Sequence, residues 1–365
     1  MLAMDMPVII FCVALAIVGT CAVYPLALRF AIKHQIVDKP SARKLQPYPI
    51  PVFGGVAIAL GMVIPTVLAA MRLPYWNVSM YVLLFVGLML LTGVADDLCD
   101  LSAWARFLIE MAVVALYIWL GQSSIDSLHG LWGCEKLPVW ISIPLSIIAG
   151  VGIINSINLI DGVDGYSSGF CMAACVVFSM LSFYVGEYAL GCLLLICTGS
   201  TIPFFIHNVF GRKTKMYIGD GGTLMLGSIM VVCVFRVLTY GSAFEILQTK
   251  GIGLVALCLA VLCIPVFDTV RVMCERIWRG VSPFTPDKTH LHHLLLQLGC
   301  SHKKTMMSLI GANTFIVFCW WLSYRFGASQ EGQLYVVTAL GVLSTFGFYG
   351  IATILSKKKS NHNHT

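Results

Sequence analysis

The chain has 365 residues, of which 58% are hydrophobic and only 11% are charged, whereas a typical soluble domain carries roughly 25% charged residues. Its net charge of +6 would favour nucleic-acid binding in a soluble protein, but in so apolar a chain the basic residues are better explained as determinants of membrane orientation. The composition therefore excludes a water-soluble globular enzyme and predicts an all-α, polytopic membrane bundle, because a helix satisfies its own backbone hydrogen bonds in lipid.

Eleven apolar segments are long enough to be membrane-spanning helices, since a bilayer core of about 30 Å needs roughly 20 residues. If the N-terminus lies outside, the inner segments carry 18 of the 23 basic residues. The positive-inside rule then predicts an outer N-terminus and a cytoplasmic C-terminus. Residues 1–355 are expected to form one transmembrane domain, with residues 356–365 as a basic cytoplasmic tail. The predicted spans are 7–30, 52–71, 80–95, 106–121, 139–157, 167–186, 188–207, 223–240, 252–273, 306–325 and 335–355.

The first inner loop, IVDKPSARKLQPYPIPVFGG, combines prolines with basic residues that include Lys44. A proline-stiffened basic loop can fold over an anionic substrate, although a plain connector would have a similar composition.

The second inner loop follows the third span and reads GVADDLCDLSAWAR. Its adjacent carboxylates, Asp96 and Asp97, can divide two roles between them, one near a metal ion and the other as a base. Arg106 opens the next span. It suits the neutralisation of a carboxylate or a phosphate, and it equally suits a simple role as an inner membrane anchor.

The segment GIINSINLIDGVDG carries a polar stripe out of an apolar span. A spacing of three residues predicts that Asn155, Asn158 and Asp161 share one helix face. Asp164 follows within a glycine-rich turn. We interpret this stripe as part of a binding site, because packing alone explains it poorly.

The next inner loop reads HNVFGRKTKMYIGDGG. Its basic residues Arg212, Lys213 and Lys215 suit phosphates or anionic lipid headgroups. Asp220 lies in the glycine-rich opening of the following span, where a carboxylate calls for a cation as its partner.

The last long inner loop contains HLHH, with His290, His292 and His293 at the start of a short amphipathic helix closed by Gly299. Imidazoles near a helix N-terminus suit a diphosphate. Zinc is the alternative ligand, although a zinc site favours an i, i+4 spacing and a further ligand.

Ten of the 17 acidic residues fall in inner loops or at inner helix ends. Carboxylates gathered at a membrane surface repel one another and need a compensating partner. Hard carboxylate oxygens suit Mg²⁺, so the sequence predicts a magnesium-dependent site, with Mn²⁺ as a substitute.

The inner loops together resemble the polyprenyl-phosphate N-acetylhexosamine-1-phosphate transferase family, and most closely its bacterial undecaprenyl-phosphate α-N-acetylglucosaminyl 1-phosphate transferase branch. The resemblance runs in order from about Asp38 to Leu294 through DKPSARK…PVFGG, DDLCD, NSINLIDGVDG, NVFGRKTKMYIGDGG, PVFDTVRV and SPFTPDKTHLHH. Two departures are Gln46, where close relatives often have His, and Glu110, where Gln is common.

The resemblance implies a bundle of ten or eleven transmembrane helices in the bacterial inner membrane, with its active site on the cytoplasmic face. It implies transfer of a sugar 1-phosphate, with GlcNAc 1-phosphate expected, from a UDP-N-acetylhexosamine to undecaprenyl phosphate, as the first membrane step of a cell-envelope polysaccharide such as O-antigen. The bilayer is a further partner, a homodimer is an allowed arrangement, and no nucleic acid is expected.

The resemblance also implies individual roles. Asp220 and Asp97 are expected to hold the metal ion, and the expected catalytic carboxylates are Asp96, Asp97, Asp161 and Asp164. The expected substrate-binding residues are Lys44, Arg106, Asn158, Asn208, His290, His292 and His293.

Two other functions are weighed against this reading. A phospho-MurNAc-pentapeptide transferase usually carries HHH followed by Glu, which HLHH does not match. An ion-coupled transporter places charges near the middle of the bilayer, and acidic residues are nearly absent from the middle of the predicted spans.

Overall fold

The computed structural model describes residues 2–38, 49–73, 76, 78, 80–282 and 288–352. Within these residues the chain is a helical bundle with one short antiparallel ribbon, β1 (Val37–Asp38) and β2 (Ile50–Pro51), in which Val37 pairs with Pro51. The helices are α1 Leu2–Lys33, α2 Gly54–Arg72, α3 Met80–Cys99, α4 Ala103–Gly121, α5 Val139–Leu159, α6 Tyr166–Val185, α7 Tyr188–Phe210, α8 Gly219–Leu238, α9 Glu245–Gln248, α10 Leu254–Val261, α11 Cys263–Trp278, α12 Leu291–Gln297, α13 His302–Arg325 and α14 Gln330–Val342.

Ten helical segments in the described part of the chain are long and apolar enough to cross a membrane, the last of them being α14 with its continuation to Ala352. The bent pair α10–α11 makes eleven if it is counted as one span. The prediction of an all-α membrane bundle with about 11 spans is therefore confirmed. Large apolar side chains such as Ile64, Met71 and Trp119 are exposed on the outer surface of the bundle. Lipid is the solvent that makes such exposure favourable.

The ninth predicted span, 252–273, is broken in the structure, because α10 and α11 meet at an angle of 79°. Pro265 lies in the first turn of α11, where a missing N–H costs no hydrogen bond. The buried side chain of Asn313 on α13 satisfies the broken backbone, since its Oδ1 accepts the N–H of Ile264 at 2.9 Å and its Nδ2 donates to the carbonyl of Val261 at 2.9 Å. The break directs α11, with its charged residues, along the end of the bundle that carries the turn after α5.

Helix α8 forms the centre of the bundle. Nearly all of its residues after the first turn are buried, and it packs against α2, α3, α5, α6 and α10. Its first residues, Gly219 and Asp220, are only partly exposed, and the free N–H groups at a helix N-terminus need hydrogen-bond partners. Those partners come from α3 and form the centre of the site described below.

The short helix α12 (Leu291–Gln297) confirms the predicted amphipathic segment, with Gly299 in the left-handed region beyond its end at φ +96°. Leu291 and Leu294 are buried on one face. The C-terminal tail, 356–365, lies outside the described residues, as does Lys44.

Candidate active site

Asp97 lies in the last turn of α3 and caps the N-terminus of α8. Its Oδ1 accepts the backbone N–H of Asp220 at 2.9 Å, and its Oδ2 accepts that of Gly221 at 3.0 Å. Gly219, at φ +76°, leads into this cap, and a Cβ atom on it would lie 2.6 Å from Oδ2 of Asp97. The two residues predicted to bind the metal, Asp97 and Asp220, are therefore held side by side by backbone hydrogen bonds.

Asp96 and Arg106 form a second pair beside the first. The Oδ2 of Asp96 accepts from Arg106 Nη1 at 2.9 Å, and its Oδ1 accepts the N–H of Leu101 at 2.9 Å. The same guanidinium lies 3.9 Å from Asp220 Oδ2 and, through Nε, 3.5 Å from Glu110 Oε1. Arg106 is thus the shared counter-charge of three carboxylates, which favours its site role over a membrane anchor.

The asparagines of α5 point at the same carboxylates. Asn158 Nδ2 donates to Asp220 Oδ1 and, at 2.8 Å, to Thr223 Oγ1, while Asn155 Nδ2 donates to Glu110 Oε2. The predicted common helix face is wrong for Asp161, because α5 ends at Leu159 and Asp161 lies in the turn that follows. Helix spacing could not reveal where that helix would end.

The turn after α5 carries Asp161 and Asp164. Asp161 accepts a hydrogen bond from Ser167 Oγ at 2.5 Å. Desolvation by burial, together with the nearby charges of Asp220 and Asp164, raises the pKa of Asp161 to about 8. Asp164 forms an ion pair with Lys215 at 2.7 Å, which ties this turn to the basic loop between α7 and α8.

Asn208 is buried at the end of α7 and bridges the two loops. Its Oδ1 accepts the N–H of Gly165 at 2.7 Å, and its Nδ2 donates to the carbonyl of Met216 at 2.9 Å. Both polar groups of the amide are therefore engaged by the protein backbone. The structure places this predicted substrate-binding residue as a clamp between the DGVDG turn and the segment that leads into Asp220.

The HLHH segment is anchored by Asp268 on α11. Asp268 Oδ2 lies 2.9 Å from His290 Nδ1, and its Oδ1 accepts from Arg271 Nη2 at 2.7 Å. Arg271 also donates to the carbonyl of Thr289 at 2.6 Å. The Asp268–Arg271 pair is almost fully buried, with side-chain exposures of 3% and 1%, so it fixes the start of α12 against α11.

His292, in the same segment, lies against the turn that contains Asp161 and Asp164. Its ring packs so closely on Gly162 of the DGVDG turn that a Cβ atom on that residue would collide with it. Burial, and after it the proximity of the His293 and His290 rings, lowers the pKa of His292 well below its ordinary value, so this imidazole is neutral near pH 7. The centroids of the His292 and His293 rings are 4.1 Å apart, which places all three histidines at the same end of the bundle as Asp161.

The carboxylates of this cluster outnumber the positive charges near them, as expected for a site that binds a divalent cation. Five carboxylates lie in this cluster, on Asp96, Asp97, Glu110, Asp161 and Asp220. Three of them, Asp96, Glu110 and Asp220, are within 4 Å of the guanidinium of Arg106. Among the described residues, no group of three or more His, Cys, Asp or Glu side chains is arranged to hold a metal ion by itself. Mg²⁺ does not require one, since it is commonly held by one or two carboxylates, with waters and substrate phosphates completing its shell. Asp97 and Asp220 fit that mode.

Several members of this network are less evident from the sequence. Glu110 is completely buried between Arg106 and Asn155, and the only signal for it was its departure from the usual Gln. His302 at the start of α13 lies 3.4 Å from Asp164, and an isolated histidine gives no such signal. Arg271 was visible only within the PVFDTVRV motif.

Comparison with known proteins follows the same segments. A model described as glycosyl transferase family 4 matches residues 79–238, which contain the aspartate pair, the DGVDG turn and Asp220. The chain is 30% identical over 285 residues to a probable undecaprenyl-phosphate N-acetylglucosaminyl 1-phosphate transferase of Bacillus subtilis, covering 78% of this chain and 76% of that protein.

Two further relatives carry a similar name, undecaprenyl-phosphate alpha-N-acetylglucosaminyl 1-phosphate transferase. The protein from Yersinia pestis is 27% identical over 335 residues, covering 89% of this chain and 86% of its own length. The one from Escherichia coli K12 is 27% identical over 284 residues, covering 77% and 74%. All three similarities extend well beyond the residues that the family model matches.

Proposed function

The chain belongs to glycosyl transferase family 4, and on that premise we propose that it is an undecaprenyl-phosphate N-acetylglucosaminyl 1-phosphate transferase. It transfers GlcNAc 1-phosphate from UDP-GlcNAc to undecaprenyl phosphate and releases UMP. The observation that carries this proposal is the convergence of Asp97, Asp220, Arg106 and the HLHH segment at one end of a membrane bundle. A lipid phosphate and a soluble nucleotide sugar can meet only at such an end.

The reaction brings one anion to another, because the phosphate of the lipid attacks the β-phosphate of the nucleotide sugar. A bound Mg²⁺ would supply neutralisation of the diphosphate and of the charge that develops on the leaving UMP. Asp97 and Asp220 would hold it, as their adjacent carboxylates are fixed by the cap of α8. This metal requirement, with Mn²⁺ as a substitute, is part of the proposal.

The remaining residues bind the diphosphate and orient the groups around it. Arg106 offsets the negative charges of Asp96 and Asp220 and presents its remaining donors to a phosphate oxygen. Neutral His292 offers a hydrogen bond to the diphosphate from beside the DGVDG turn. Asp96 is paired with the guanidinium of Arg106 at 2.9 Å, so we assign it to orienting Arg106. Acceptance of a proton from the lipid phosphate falls to Asp97, Asp161 or Asp164.

Localisation and pathway complete the proposal. The enzyme lies in the bacterial inner membrane with its site on the cytoplasmic face, as the excess of basic residues in the inner loops favours. Its product would begin a cell-envelope polysaccharide such as O-antigen. The cytoplasmic face is also the side on which nucleotide sugars are available.

A panel of labelled UDP-sugars tests the substrate. Purified protein is incubated with undecaprenyl phosphate, Mg²⁺ and either UDP-GlcNAc, UDP-GalNAc or UDP-MurNAc-pentapeptide, and the lipid product is identified. We expect undecaprenyl-diphospho-GlcNAc and UMP. Product from the muramyl substrate alone would instead make the protein a phospho-MurNAc-pentapeptide transferase.

A pair of isosteric substitutions tests the site. Asp220→Asn removes a charge from the metal side of the cluster and should lower UMP release by about three orders of magnitude, since metal stabilisation of transition-state charge is worth several kcal/mol. Asp126→Asn makes the same chemical change at the opposite end, where Asp126 Oδ1 accepts the N–H of Tyr240 at 2.7 Å, and should leave turnover unchanged. Near-normal turnover in Asp220→Asn would remove this residue from the mechanism.

A further inference from the structure

A cavity of about 630 Å³ lies beside the active site, between the end of α1, the β1–β2 ribbon and the basic loop that joins α7 to α8. Its lining has two chemically different parts. One is apolar and includes Leu28 and Ile32 of α1 and Ile50 of β2; the other is cationic and consists of Arg212, Lys213 and Lys215. The transferase mechanism uses neither Arg212 nor Lys213.

The cationic part has more charge than its protein partners neutralise. Lys215 forms an ion pair with Asp164 at 2.7 Å. Arg212 and Lys213 are exposed and form no ion pair with any other residue in the ranges that the structure describes. Two positive charges therefore remain available to a ligand in the cavity.

The basic loop is held in place rather than hanging free. The carbonyl of Thr214, within this loop, accepts a hydrogen bond from Tyr24 Oη of α1 at 2.7 Å, and its Oγ1 lies 2.9 Å from His207 Nδ1 of α7. The rings of Tyr24 and His207 stack at 4.4 Å. These contacts fix the loop to the end of α1, so the cations and the apolar wall belong to one preformed cavity.

The cavity also lies at the level where a membrane ends. The apolar span of α1 runs from Met6 to Lys33, so Leu28 and Ile32 are in its last turns. Ile32 is 56% exposed and faces outward. A ligand here would contact acyl chains through one half of the cavity and polar headgroups through the other.

We propose that this cavity binds an anionic phospholipid of the surrounding bilayer, with its phosphate against Arg212 and Lys213 and the start of its acyl chains against Leu28 and Ile32. An uncharged lipid leaves the cations unpaired, and a soluble phosphate leaves the apolar wall in water. Only an amphipathic anion matches both halves.

The reacting lipid phosphate is a poorer match for this position. None of Asp97, Asp161 and Asp220 lines the cavity, so a phosphate bound here is outside the carboxylate cluster. The cavity wall instead supports the site, because Tyr217 donates its N–H to the carbonyl of Pro51 at 2.8 Å and accepts that of Gly54 at 2.9 Å. A lipid that orders this wall stabilises the segment leading into Asp220.

Native mass spectrometry of the delipidated full-length protein tests the proposal by titration with phosphatidylglycerol or phosphatidylcholine of equal chain length. We expect tighter binding of phosphatidylglycerol. The double substitution Arg212→Gln/Lys213→Gln should weaken it roughly 25-fold, about fivefold for each cation removed. The matched control, Lys303→Gln/Lys304→Gln, removes two exposed charges at the same end of the bundle and should leave the affinity unchanged.

Leu28→Trp provides a second variant that keeps every charge and fills the apolar half. It should also weaken binding of phosphatidylglycerol, which distinguishes a cavity from general charge attraction. The proposal is overturned if the two lipids bind equally or if the Lys303/Lys304 variant loses as much affinity as the Arg212/Lys213 variant. It is also overturned if glycerol phosphate displaces the lipid at equal concentration, or if only undecaprenyl phosphate binds in a manner sensitive to Arg212 and Lys213.

Discussion

Replacing Asp268 by Asn removes the charge that holds the HLHH segment against α11. Asp268 and Arg271 have side-chain exposures of 3% and 1%, and breaking a buried ion pair costs about 3–5 kcal/mol. Asn keeps one acceptor oxygen, and Glu275 still lies 3.3 Å from Arg271. We therefore expect a loss near the lower limit, about 3 kcal/mol, in the free energy of unfolding.

The same substitution should reduce catalysis, since His290 loses its carboxylate partner at 2.9 Å and His292 follows it in the chain. A displacement of about 1 Å in a positioning group costs roughly 10²-fold in rate. UMP release by purified protein at saturating substrates measures the rate, and thermal denaturation in detergent measures stability.

Glu187→Gln is the matched control for Asp268→Asn. It breaks an ion pair with Arg236, at 2.8 and 3.0 Å, at the opposite end of the bundle. Arg236 is 36% exposed there and Glu187 11% exposed, so the loss of stability should be smaller than for the fully buried Asp268–Arg271 pair, with turnover unchanged. If folded Asp268→Asn retains turnover within twofold of the original protein, Asp268 does not position the histidines for catalysis.

Three further predictions follow from the geometry. Gly219→Ala should lower Mg²⁺-dependent turnover, because the new Cβ would lie 2.6 Å from Asp97 Oδ2 at φ +76°; unchanged turnover would contradict the cap. Protonation of Asp161, whose pKa is about 8, lowers the negative charge near Asp220, so apparent Mg²⁺ affinity should fall as pH decreases from 8 to 6, and Asp161→Asn should flatten that dependence. In a cysteine-free background, an impermeant maleimide should label a single cysteine at Trp132 in intact cells but not one at Lys213; the reverse pattern would refute the proposed orientation.

Much of the site could be predicted because it places polar and charged side chains beside apolar membrane spans. A carboxylate or amide at the end of an apolar span is costly unless it has a function or a partner, so Asp96, Asp97, Asn158 and Asp220 were conspicuous. The structure brings these four residues into one hydrogen-bonded cluster. Their proximity is therefore observed, while their function as an active site and their individual catalytic roles stay predictions.

The sequence was less informative about how these residues are held. Asn208 looked like a substrate ligand, yet its amide is engaged by two backbone segments. Asp268 was one acid among ten, and only its pairing across 22 residues with His290 shows what it does. Contacts of this kind depend on how helices pack, and packing is not written in the local spacing of residues.

The sequence by itself determined that the chain lies in a lipid bilayer, how many times it is expected to cross it, and at which end of the bundle the candidate active-site residues lie. These properties depend on hydrophobic length and on the placement of charges, which are local and additive along the chain. Tertiary structure alone decided that α10 and α11 would break at 79°, that Asp97 would cap α8, and that Arg106 would serve three carboxylates. Each of these features depends on the close approach of segments that are distant in the chain. The apolar pattern is compatible with several such arrangements, and close packing together with hydrogen-bond satisfaction decides which of them forms.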